Sequence, residues 1–383
     1  MKARHLLTLF ALVPLAQAEL PADENAPLTQ DQAARAIQHT YESLVAAERA
    51  QRQAELDEKS ITHGDHTMRW LERTFGPEDP PPGGRSLYIS LHGGGSAPPR
   101  VNDQQWQNQI RLYEPEEGIY IAPRAPTDTW NLWHEPHIDA LFARLIENMI
   151  ALRHVNPDKV YLMGYSAGGD GVWQLAPRMA DRFAAAAMMA GHPNDASLLG
   201  LRNLPFAIFM GENDAAFNRN TVAAEKSEKL AALQNADPQG YTHLSRIYPG
   251  IGHWMQLKCA ESLPWMAAFT RNPWPQKIVW HQSGVVHRRF YWLRVPEGTA
   301  QPGTTLTATI DDRTIHLEGP VPAGTQLLLS DALLDLDAPV HIRINNEPPV
   351  AHQPVRTLAT IRAALTERLD PAATPTATIT LDR

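Results

Sequence analysis

One serine lies in a setting that can expose its hydroxyl for nucleophilic attack. Residues 164–168 read Gly-Tyr-Ser-Ala-Gly, after the apolar run 160–163 and before a helical pattern. A sharp turn between a strand and a helix pushes the central serine out above a sheet. The start of the helix adds a dipole that favours developing negative charge. Ser166 is therefore the candidate nucleophile, in preference to a tight turn without chemistry.

A glycine-rich loop could stabilise the oxyanion that such an attack creates. His92 and three glycines directly follow the strand pattern 87–91. Glycines let backbone N–H groups approach an oxyanion closely, whereas the alternative is a plain connection. The expected donors of this oxyanion hole are the N–H groups of Gly93, Gly94, Gly95 and Ala167.

A base and an acid follow Ser166 in the chain order that a catalytic triad on such a sheet requires. Asp214 comes after the strand pattern 205–210, at the end of a strand where sites of open α/β sheets collect. His253 lies in a glycine-flanked loop after the last strand pattern of this region. Asp195 also follows a strand pattern and stays open as the alternative acid. We expect Ser166, His253 and Asp214 to carry out nucleophilic catalysis.

Aromatic residues near these positions are candidates for binding the substrate. Trp130, Trp133 and Arg124 follow a strand pattern, so they are expected at the same edge of the sheet. Trp254 stands beside His253 and is a further candidate wall. Packing of the loop by its own tryptophans is the alternative.

Two histidine spacings resemble metal-binding patterns. His63 and His66 are three residues apart, and His134, His137 and Asp139 follow one another at short intervals. Neither group has a visible closing ligand set. Dinucleotide and phosphate loops of the forms G-x-G-x-x-G and G-x-x-x-x-G-K are absent from the sequence. We expect no resident metal and no cofactor.

Strand and helix patterns alternate between residues 86 and 272. Strand patterns cover 87–91, 118–122, 159–163, 183–190, 205–210 and 244–248, and helical patterns cover 141–154, 171–180 and 221–234. Near-continuous apolar strands in such an alternation predict a mostly parallel sheet with helices on both faces. The predicted fold class is α/β.

The flanking regions have other patterns. Residues 29–71 show apolar residues at helical spacing, and the Pro- and Gly-rich stretch 79–84 then breaks the chain. After 272–275 the texture becomes β-rich, with strand patterns at 277–280, 289–295, 305–310, 314–317, 326–329, 340–344 and 376–381 and one helix at 357–369. We predict a helical extension over 19–85, a catalytic domain over 86–272 and a sandwich-like domain over 273–383.

The first residues are typical of an export signal. Lys2 and Arg4 precede the apolar run 6–15, and positions 16–18 read Ala-Gln-Ala, a small-residue cleavage site. Cys259 is the only cysteine of the chain, so no intramolecular disulfide can form. Residues 1–18 therefore predict export to a bacterial periplasm or to the medium.

Charge excludes one class of partner. The 34 basic and 42 acidic residues give a formal net charge of -8. This balance has no basic footprint for nucleic acid, and beyond the signal no apolar stretch is long enough for a membrane span. The sequence leaves the oligomeric state open.

The motifs resemble the serine esterase branch of the α/β-hydrolase superfamily, which includes polyhydroxybutyrate depolymerase-like, feruloyl-esterase-like and dienelactone-hydrolase-like proteins. The resemblance is carried by residues 92–94, 164–169, 211–214 and 252–253. It implies a carboxylic ester substrate, small or polymer-derived, and no cofactor. The flanking regions lie outside the common core, and the missing disulfide pattern departs from secreted polymer-degrading relatives.

Two other functions use the same residues differently. A peptidase of the prolyl-oligopeptidase type has the same triad, although no region of β-propeller size precedes the core here. A hydrolase fold that has lost activity could serve as a binding protein, with the β-rich region docking a glycan or another partner.

Overall fold

The computed structural model describes residues 20–382, so the export signal predicted at 1–18 lies outside the described residues. Its helices are α1 (Gln30–Glu58), α2 (Pro99–Gln109), α3 (Pro136–Leu152), α4 (Ala167–Arg178), α5 (Arg219–Ala236), α6 (Ser262–Ala267) and α7 (Leu358–Glu367). The first eight strands are β1 (Ser60–His63), β2 (His66–Phe75), β3 (Arg85–Leu91), β4 (Gly118–Arg124), β5 (Val155–Tyr165), β6 (Ala185–Met189), β7 (Phe206–Gly211) and β8 (His243–Tyr248).

The later strands are β9 (Lys277–His281), β10 (Arg289–Phe290), β11 (Leu293–Arg294), β12 (Thr305–Asp311), β13 (Thr314–Glu318), β14 (Thr325–Leu329), β15 (Val340–Ile344), β16 (Val350–His352) and β17 (Ala377–Leu381). No helix within residues 20–382 combines the length and the apolar character needed to cross a bilayer.

Strands β1 to β8 form one sheet in the order β1-β2-β4-β3-β5-β6-β7-β8. The edge hairpin β1–β2 is antiparallel, and β2 also pairs antiparallel with β4. All other neighbours are parallel. Strands β3, β4, β6 and β7 are buried along their whole length, as expected for a parallel sheet covered on both faces.

Successive side chains of a strand point to opposite faces, and two apolar clusters follow from this. Leu87, Ile89 and Leu91 of β3 pack with side chains of α3 and α4. Tyr88 belongs to the opposite cluster, which includes residues of α2 and α6. Full burial of each large aliphatic side chain contributes about 1.5–3 kcal/mol. Packing on both faces therefore holds the carboxyl ends of the parallel strands in place. The loops that carry the predicted site residues begin at these ends.

The helix predicted over 29–71 is wrong beyond Glu58. Lys59 ends α1 with a left-handed backbone (φ 49), and the chain then turns into the hairpin β1–β2. Met68 and Trp70 of β2 are buried and alternate with less buried neighbours, which is the period of a strand. The central sheet therefore begins with β1, ahead of the long proline- and glycine-rich break.

Strands β9 to β17 form two further sheets, of order β16-β15-β13-β12-β9 and β10-β11-β14-β17. Strands β9, β12 and β13 bury alternate residues, and the buried side chains of both sheets belong to one apolar cluster. The strand predicted at 289–295 is interrupted, because Tyr291 (φ 52) cannot continue an extended backbone. The predicted α/β class with an N-terminal helix and a β-rich C-terminal region is confirmed.

A buried network of charges joins the α/β part to the C-terminal part. Arg271 Nη1 donates to Asp370 Oδ2 at 2.7 Å, and Arg368 Nη1 donates to Asp181 Oδ2 at 2.6 Å. We call this network the seam, and it consists of Asp158, Asp181, Arg182, Arg271, Arg289, Glu367, Arg368 and Asp370. A second contact lies elsewhere, where α7 packs against α1.

Candidate active site

Ser166 lies in the tight connection between β5 and α4. Its backbone has φ 58 and ψ -121, a conformation that residues with a side chain rarely adopt. The N–H of Ser166 donates to the carbonyl of Met189 at 2.9 Å, which holds the turn against β6. A Cβ on Gly168 would overlap the carbonyl of Leu91, so only glycine lets α4 approach β3 this closely. The turn is thus rigid and directs the serine side chain away from the sheet.

The three residues predicted as a triad lie within hydrogen-bond distance of one another. Ser166 Oγ donates to His253 Nε2 at 3.0 Å, and His253 Nδ1 donates to Asp214 Oδ2 at 2.7 Å. Asp214 is 2% exposed, whereas the His253 side chain is 42% exposed. The acid is therefore anchored in the protein, and the imidazole stands at the surface.

Asp195, the alternative acid, lies elsewhere. Its Oδ1 accepts a hydrogen bond from Gln174 Nε2 at 2.9 Å, and the residue is exposed. The carboxylate that contacts His253 is that of Asp214.

The glycine loop after β3 lies beside the serine, but its three N–H groups are not equivalent. Gly93 and Gly94 border the same cavity as Ser166. Gly94 has φ 111, and a Cβ there would overlap the side chain of Asn102. The N–H of Gly95 donates to Asn102 Oδ1 at 2.9 Å. Gly95 therefore has its donor engaged within the protein, unlike the expectation for an oxyanion hole.

Asn102 is fully buried and connects this loop to a second one. Its Nδ2 donates to Asp128 Oδ1 at 2.7 Å, and Arg124 Nη2 donates to the same oxygen at 2.5 Å. Burial acts to raise the pKa of the Asp128 carboxyl, but the bonds from Asn102 and Arg124 outweigh it and lower that pKa. Arg124 also donates to Asp103. Arg124, expected at the substrate, is thus buried and engaged in bracing the loop.

His92 is a second brace. Its Nδ1 donates to the carbonyl of Gly93 at 2.6 Å, and its Nε2 accepts from the N–H of Ala125 at 3.1 Å. Burial lowers the pKa of His92 to about 4, so the ring is neutral in this role. The indole of Trp133 is buried and donates to the carbonyl of His92 at 3.0 Å. Trp133 therefore supports the loop from beneath and does not line an open wall.

Two cavities meet at Ser166 and together form what we call the groove. One has a volume of about 550 Å³ and is bordered by Trp130, His192, Asn194, Phe217 and Arg219. The other has about 530 Å³ and is bordered by Val101, Gln105, Arg111, Leu112 and Trp254. Trp130 is 60% exposed and Trp254 is 50% exposed. Of the predicted wall residues, these two reach the groove.

Phe217 and Arg219 are groove residues that the sequence did not indicate. Phe217 is 77% exposed and has φ 56, and its ring lies 4.9 Å from the Arg219 guanidinium. Both follow Asp214 within five residues, so their place after a strand end was the available signal. An exposed aromatic in a strained loop beside a cavity is a common feature of ligand sites.

Tyr165, next to the serine, was also missed. Its hydroxyl donates to the carbonyl of His253 at 2.6 Å and accepts from the N–H of Met255 at 2.8 Å. Burial raises the pKa of this phenol, so it stays protonated and able to donate.

The two histidine spacings have other partners. His66 stacks on His137 with ring centroids 3.7 Å apart, and Asp139 binds Arg178 and His287. Between residues 20 and 382, no group of three or more His, Cys, Asp or Glu side chains is arranged to hold a metal ion.

Comparisons with known proteins agree with this architecture. Residues 119–264 match the model of the dienelactone hydrolase family. A putative esterase, NocK, of Nocardia uniformis subsp. tsuyamanensis is 32% identical over 120 residues, which are 29% of this chain and 34% of that protein. The chain thus spans about a third of the length of this curated relative.

Two solved structures of hydrolases also match part of the chain. A thermostable esterase is 17% identical over 55% of this chain and 62% of its own, with a TM-score of 0.40. LpqC, a poly(3-hydroxybutyrate) depolymerase from Bordetella parapertussis, is 20% identical over 54% of this chain and 86% of its own, with a TM-score of 0.41. The family match, with the observed sheet, confirms the resemblance to α/β-hydrolases of the esterase type.

Proposed function

We propose that this protein is a serine hydrolase that cleaves carboxylic esters through an acyl-enzyme on Ser166. The observation that supports this best is the continuous hydrogen-bonded line from Asp214 through His253 to Ser166 Oγ, which ends in the open groove. The similarity to a dienelactone hydrolase domain and to a putative esterase supports the same reaction class.

In the first step His253 Nε2 removes the hydroxyl proton as Ser166 Oγ attacks the ester carbonyl carbon. Asp214 keeps the imidazole in the tautomer that accepts at Nε2 and stabilises the imidazolium that forms. His253 then gives its proton to the leaving alcohol, and the carbon–oxygen bond of the ester breaks. Water, deprotonated by the same imidazole, releases the acid and regenerates Ser166.

Backbone N–H groups stabilise the negative oxygen of each tetrahedral intermediate. The N–H groups assigned to this task are those of Gly93, Gly94 and Ala167, which border the groove at Ser166. Gly95 is left out because its N–H is bound to Asn102. Loss of one such donor costs about 3–4 kcal/mol of transition-state stabilisation. No cofactor takes part in this chemistry.

The groove divides the substrate into two parts. Trp130 and Phe217 border one arm and Trp254 borders the other, so acyl and alcohol groups lie on opposite sides of Ser166. Apolar walls with a few polar groups are typical of small-molecule sites. A small ester or the end of a polymer-derived one fits this arrangement.

Substitution of the nucleophile tests the proposal. Ser166→Ala abolishes hydrolysis of p-nitrophenyl acetate and prevents labelling by a fluorophosphonate. Ser43→Ala is the matched control, because Ser43 is an exposed serine on α1, outside the groove. Full activity in Ser166→Ala contradicts the assignment, and absence of an adduct at Ser166 in the wild type favours a binding protein without activity.

A panel of substrates separates esterase from peptidase. Short esters and dipeptide amides are compared at equal concentration, and the proposal expects turnover of the esters. Preferential cleavage of the amides would instead indicate a peptidase of the prolyl-oligopeptidase type. Graded acyl lengths in the same panel report the depth of each arm of the groove.

We also propose that the protein is exported, on the pattern of residues 1–18 alone. The test is to express the full chain from Met1 in a bacterial host and to determine the location and the mass of the protein. If residues 1–18 are removed, the protein is found in the periplasm or the medium and its mass is that of a chain starting at Glu19. A protein that stays in the cytoplasm and retains Met1 contradicts export.

A further inference from the structure

The loop that carries the candidate base is held before His253. The N–H of Asn213 donates to the carbonyl of Ile251, and the N–H of Gly250 donates to Glu212. The backbone of the loop is less constrained around His253 itself. Gly250 and Gly252 have open space where a Cβ would be, and Gln256 and Leu257 both have positive φ. The imidazole of His253 is itself partly exposed. A base in such a loop needs an anchor, since a misplacement of about 1 Å can slow a reaction about 100-fold.

The side chain of Tyr165 is an anchor at both ends of this turn. One hydroxyl donates to the carbonyl of His253 and accepts from the N–H of Met255, at 2.6 and 2.8 Å. The aromatic ring also packs against the rings of His253 and Trp254, with centroids 5.9 and 5.7 Å away.

Tyr165 is in turn fixed by its own backbone. It pairs with Met189 in the parallel register of β5 and β6, and it immediately precedes the strained turn at Ser166. The nucleophile and the anchor of the base are therefore consecutive residues of one buried strand end. Movement of residues 253–255 relative to Ser166 has to break the bonds of this phenol.

We propose that Tyr165 is a positioning residue that sets the distance between His253 and Ser166 in the proposed hydrolase reaction. The inference rests on the proposed function, because it assigns no role to Tyr165 unless His253 acts as the base. It adds a fourth residue through which the triad geometry is maintained, and Tyr165 does so without reacting.

The same strand offers a matched control. Tyr161 lies four residues earlier on β5, in the same apolar cluster as Tyr165. Its hydroxyl donates to the carbonyl of Phe269 at 2.9 Å, beyond α6 and away from the groove. Tyr161→Phe and Tyr165→Phe each remove one oxygen and keep the ring, so both leave a backbone carbonyl without this donor.

The test measures kcat and KM for p-nitrophenyl acetate, the rate of fluorophosphonate inactivation, and the melting temperature. For Tyr165→Phe we expect kcat and the inactivation rate to fall about 10- to 100-fold with KM within twofold of the wild type. For Tyr161→Phe we expect both rates within twofold. Both variants are expected to melt below the wild type, and the extent of fluorophosphonate labelling at completion reports the folded, competent fraction.

Two results would overturn the inference. One is a Tyr165→Phe kcat within twofold of the wild type after correction for the competent fraction. The other is an equal loss of kcat in both variants, because that indicates a general loss of packing.

Failure of the proposed hydrolase function would give results that differ from failure of the Tyr165 proposal. In the first case the wild type does not hydrolyse esters or react with the fluorophosphonate. Wild-type activity that Ser166→Ala abolishes and Tyr165→Phe preserves contradicts the role of Tyr165 alone.

Discussion

The groove and the seam are both rich in polar groups, but they use them in different ways. In the seam, Arg271 and Arg368 are buried and paired with Asp370 and Asp181. In the groove, the Ser166 hydroxyl borders a cavity, and Arg219 Nη1 lies 3.5 Å from Asp214 Oδ1 while its Nε has no hydrogen-bond partner among residues 20–382. A dense set of charges therefore marks an internal contact when each charge is matched. It marks a candidate reactive site when a strained residue and incompletely paired polar groups border a cavity.

The contrast implies that substitutions in the groove and in the seam change different measured quantities. Changes in the groove are expected to act on the rate, because the proposed reaction takes place there. Changes in the seam act on the free energy of unfolding, because a buried charge that loses its partner is costly. Each prediction below tests one side of that division.

The largest effect is expected at Asp214, the acid of the proposed triad. Asp214→Asn reverses the hydrogen-bonding preference at His253 Nδ1, and we expect kcat to fall about 10⁴-fold with little change in unfolding. Asp195→Asn changes an exposed carboxylate bound to Gln174, so its kcat stays within twofold. Steady-state kinetics of both variants decide between the two acids. Equal losses, or a larger loss at Asp195, would reverse the assignment.

The next effect is expected in the seam. Asp370→Asn leaves the buried Arg271 with only Asp158 as an acidic partner, and we expect it to lower the free energy of unfolding by about 3 kcal/mol. Its kcat stays within twofold. Asp335→Asn is the control, since the exposed pair with Arg313 is worth less than about 1 kcal/mol. Urea unfolding measures both, and a kcat loss in Asp370→Asn without destabilisation contradicts the division.

The Arg271–Asp370 pair also predicts how the stability difference between the wild type and Asp370→Asn depends on pH. Burial acts to raise the pKa of Asp370, but Arg271 outweighs it and holds the pKa at about 2. The folded pKa lies below the unfolded value of about 3.9, so the stabilisation is complete above pH 4 or so. It is lost as the pH falls toward 2. The gap between wild type and Asp370→Asn therefore narrows over that interval, and a constant gap contradicts the assignment.

A smaller effect is expected at Asn102. This residue is buried and also holds a loop of the groove, so its loss is expected to change both stability and kcat. Asn102→Ala lowers the free energy of unfolding by about 1–3 kcal/mol and releases the N–H of Gly95, so we expect kcat to fall about tenfold. Asn148→Ala removes an equally buried amide bound to Arg52 and Glu55, far from the groove. It should destabilise to a similar degree at unchanged kcat. Equal kcat in the two variants would show that the brace has no role in the rate.

The smallest effect is expected at the rim. Phe217→Ala removes an exposed ring from one arm of the groove, and we expect KM for bulky aromatic esters to rise about three- to tenfold. KM for acetate esters stays within twofold, and the melting temperature is unchanged. Val350→Ala serves as a control for loss of an exposed apolar side chain outside the groove. An unchanged KM across all esters would exclude Phe217 from substrate contact.

The sequence predicted the parts that are buried and regular. Continuous apolar runs identified the parallel strands, and the glycines around Ser166 identified the elbow, because both patterns reflect packing that only a few residue types allow. The edge hairpin was misassigned as helix, since β2 is only half-buried and its alternation of apolar and charged residues is weak over a short span. Helix α2 was missed for a related reason, because only Asn102, Trp106 and Gln109 of it are buried.

The residues that border the groove were predicted less well than the strands, because the direction of a side chain depends on its tertiary neighbours. Trp130 and Trp133 are three residues apart, yet one borders the groove and the other supports His92. Arg124 is held by two aspartates, of which Asp103 is distant in sequence. Phe217 lies in a loop that only the folded chain brings to Ser166. Tyr165 is next to Ser166 in the sequence, but the loop that its hydroxyl contacts is distant along the chain.

The contact between α1 and α7 affects the order in which parts of the chain can fold. Ala33 and Ala36 pack against Leu358, Ile361 and Leu365, so the two helices meet only after residues 59–357 have been synthesised between them. Long-range closure of this kind is slow, because the chain between the two segments must first lose its freedom. A growing chain can therefore form the sheet and pair Glu55 of α1 with Arg144 of α3 early, and still leave the N-terminal half of α1 without its packing partner. Helix α7, which is synthesised after the sheet, completes the packing of α1.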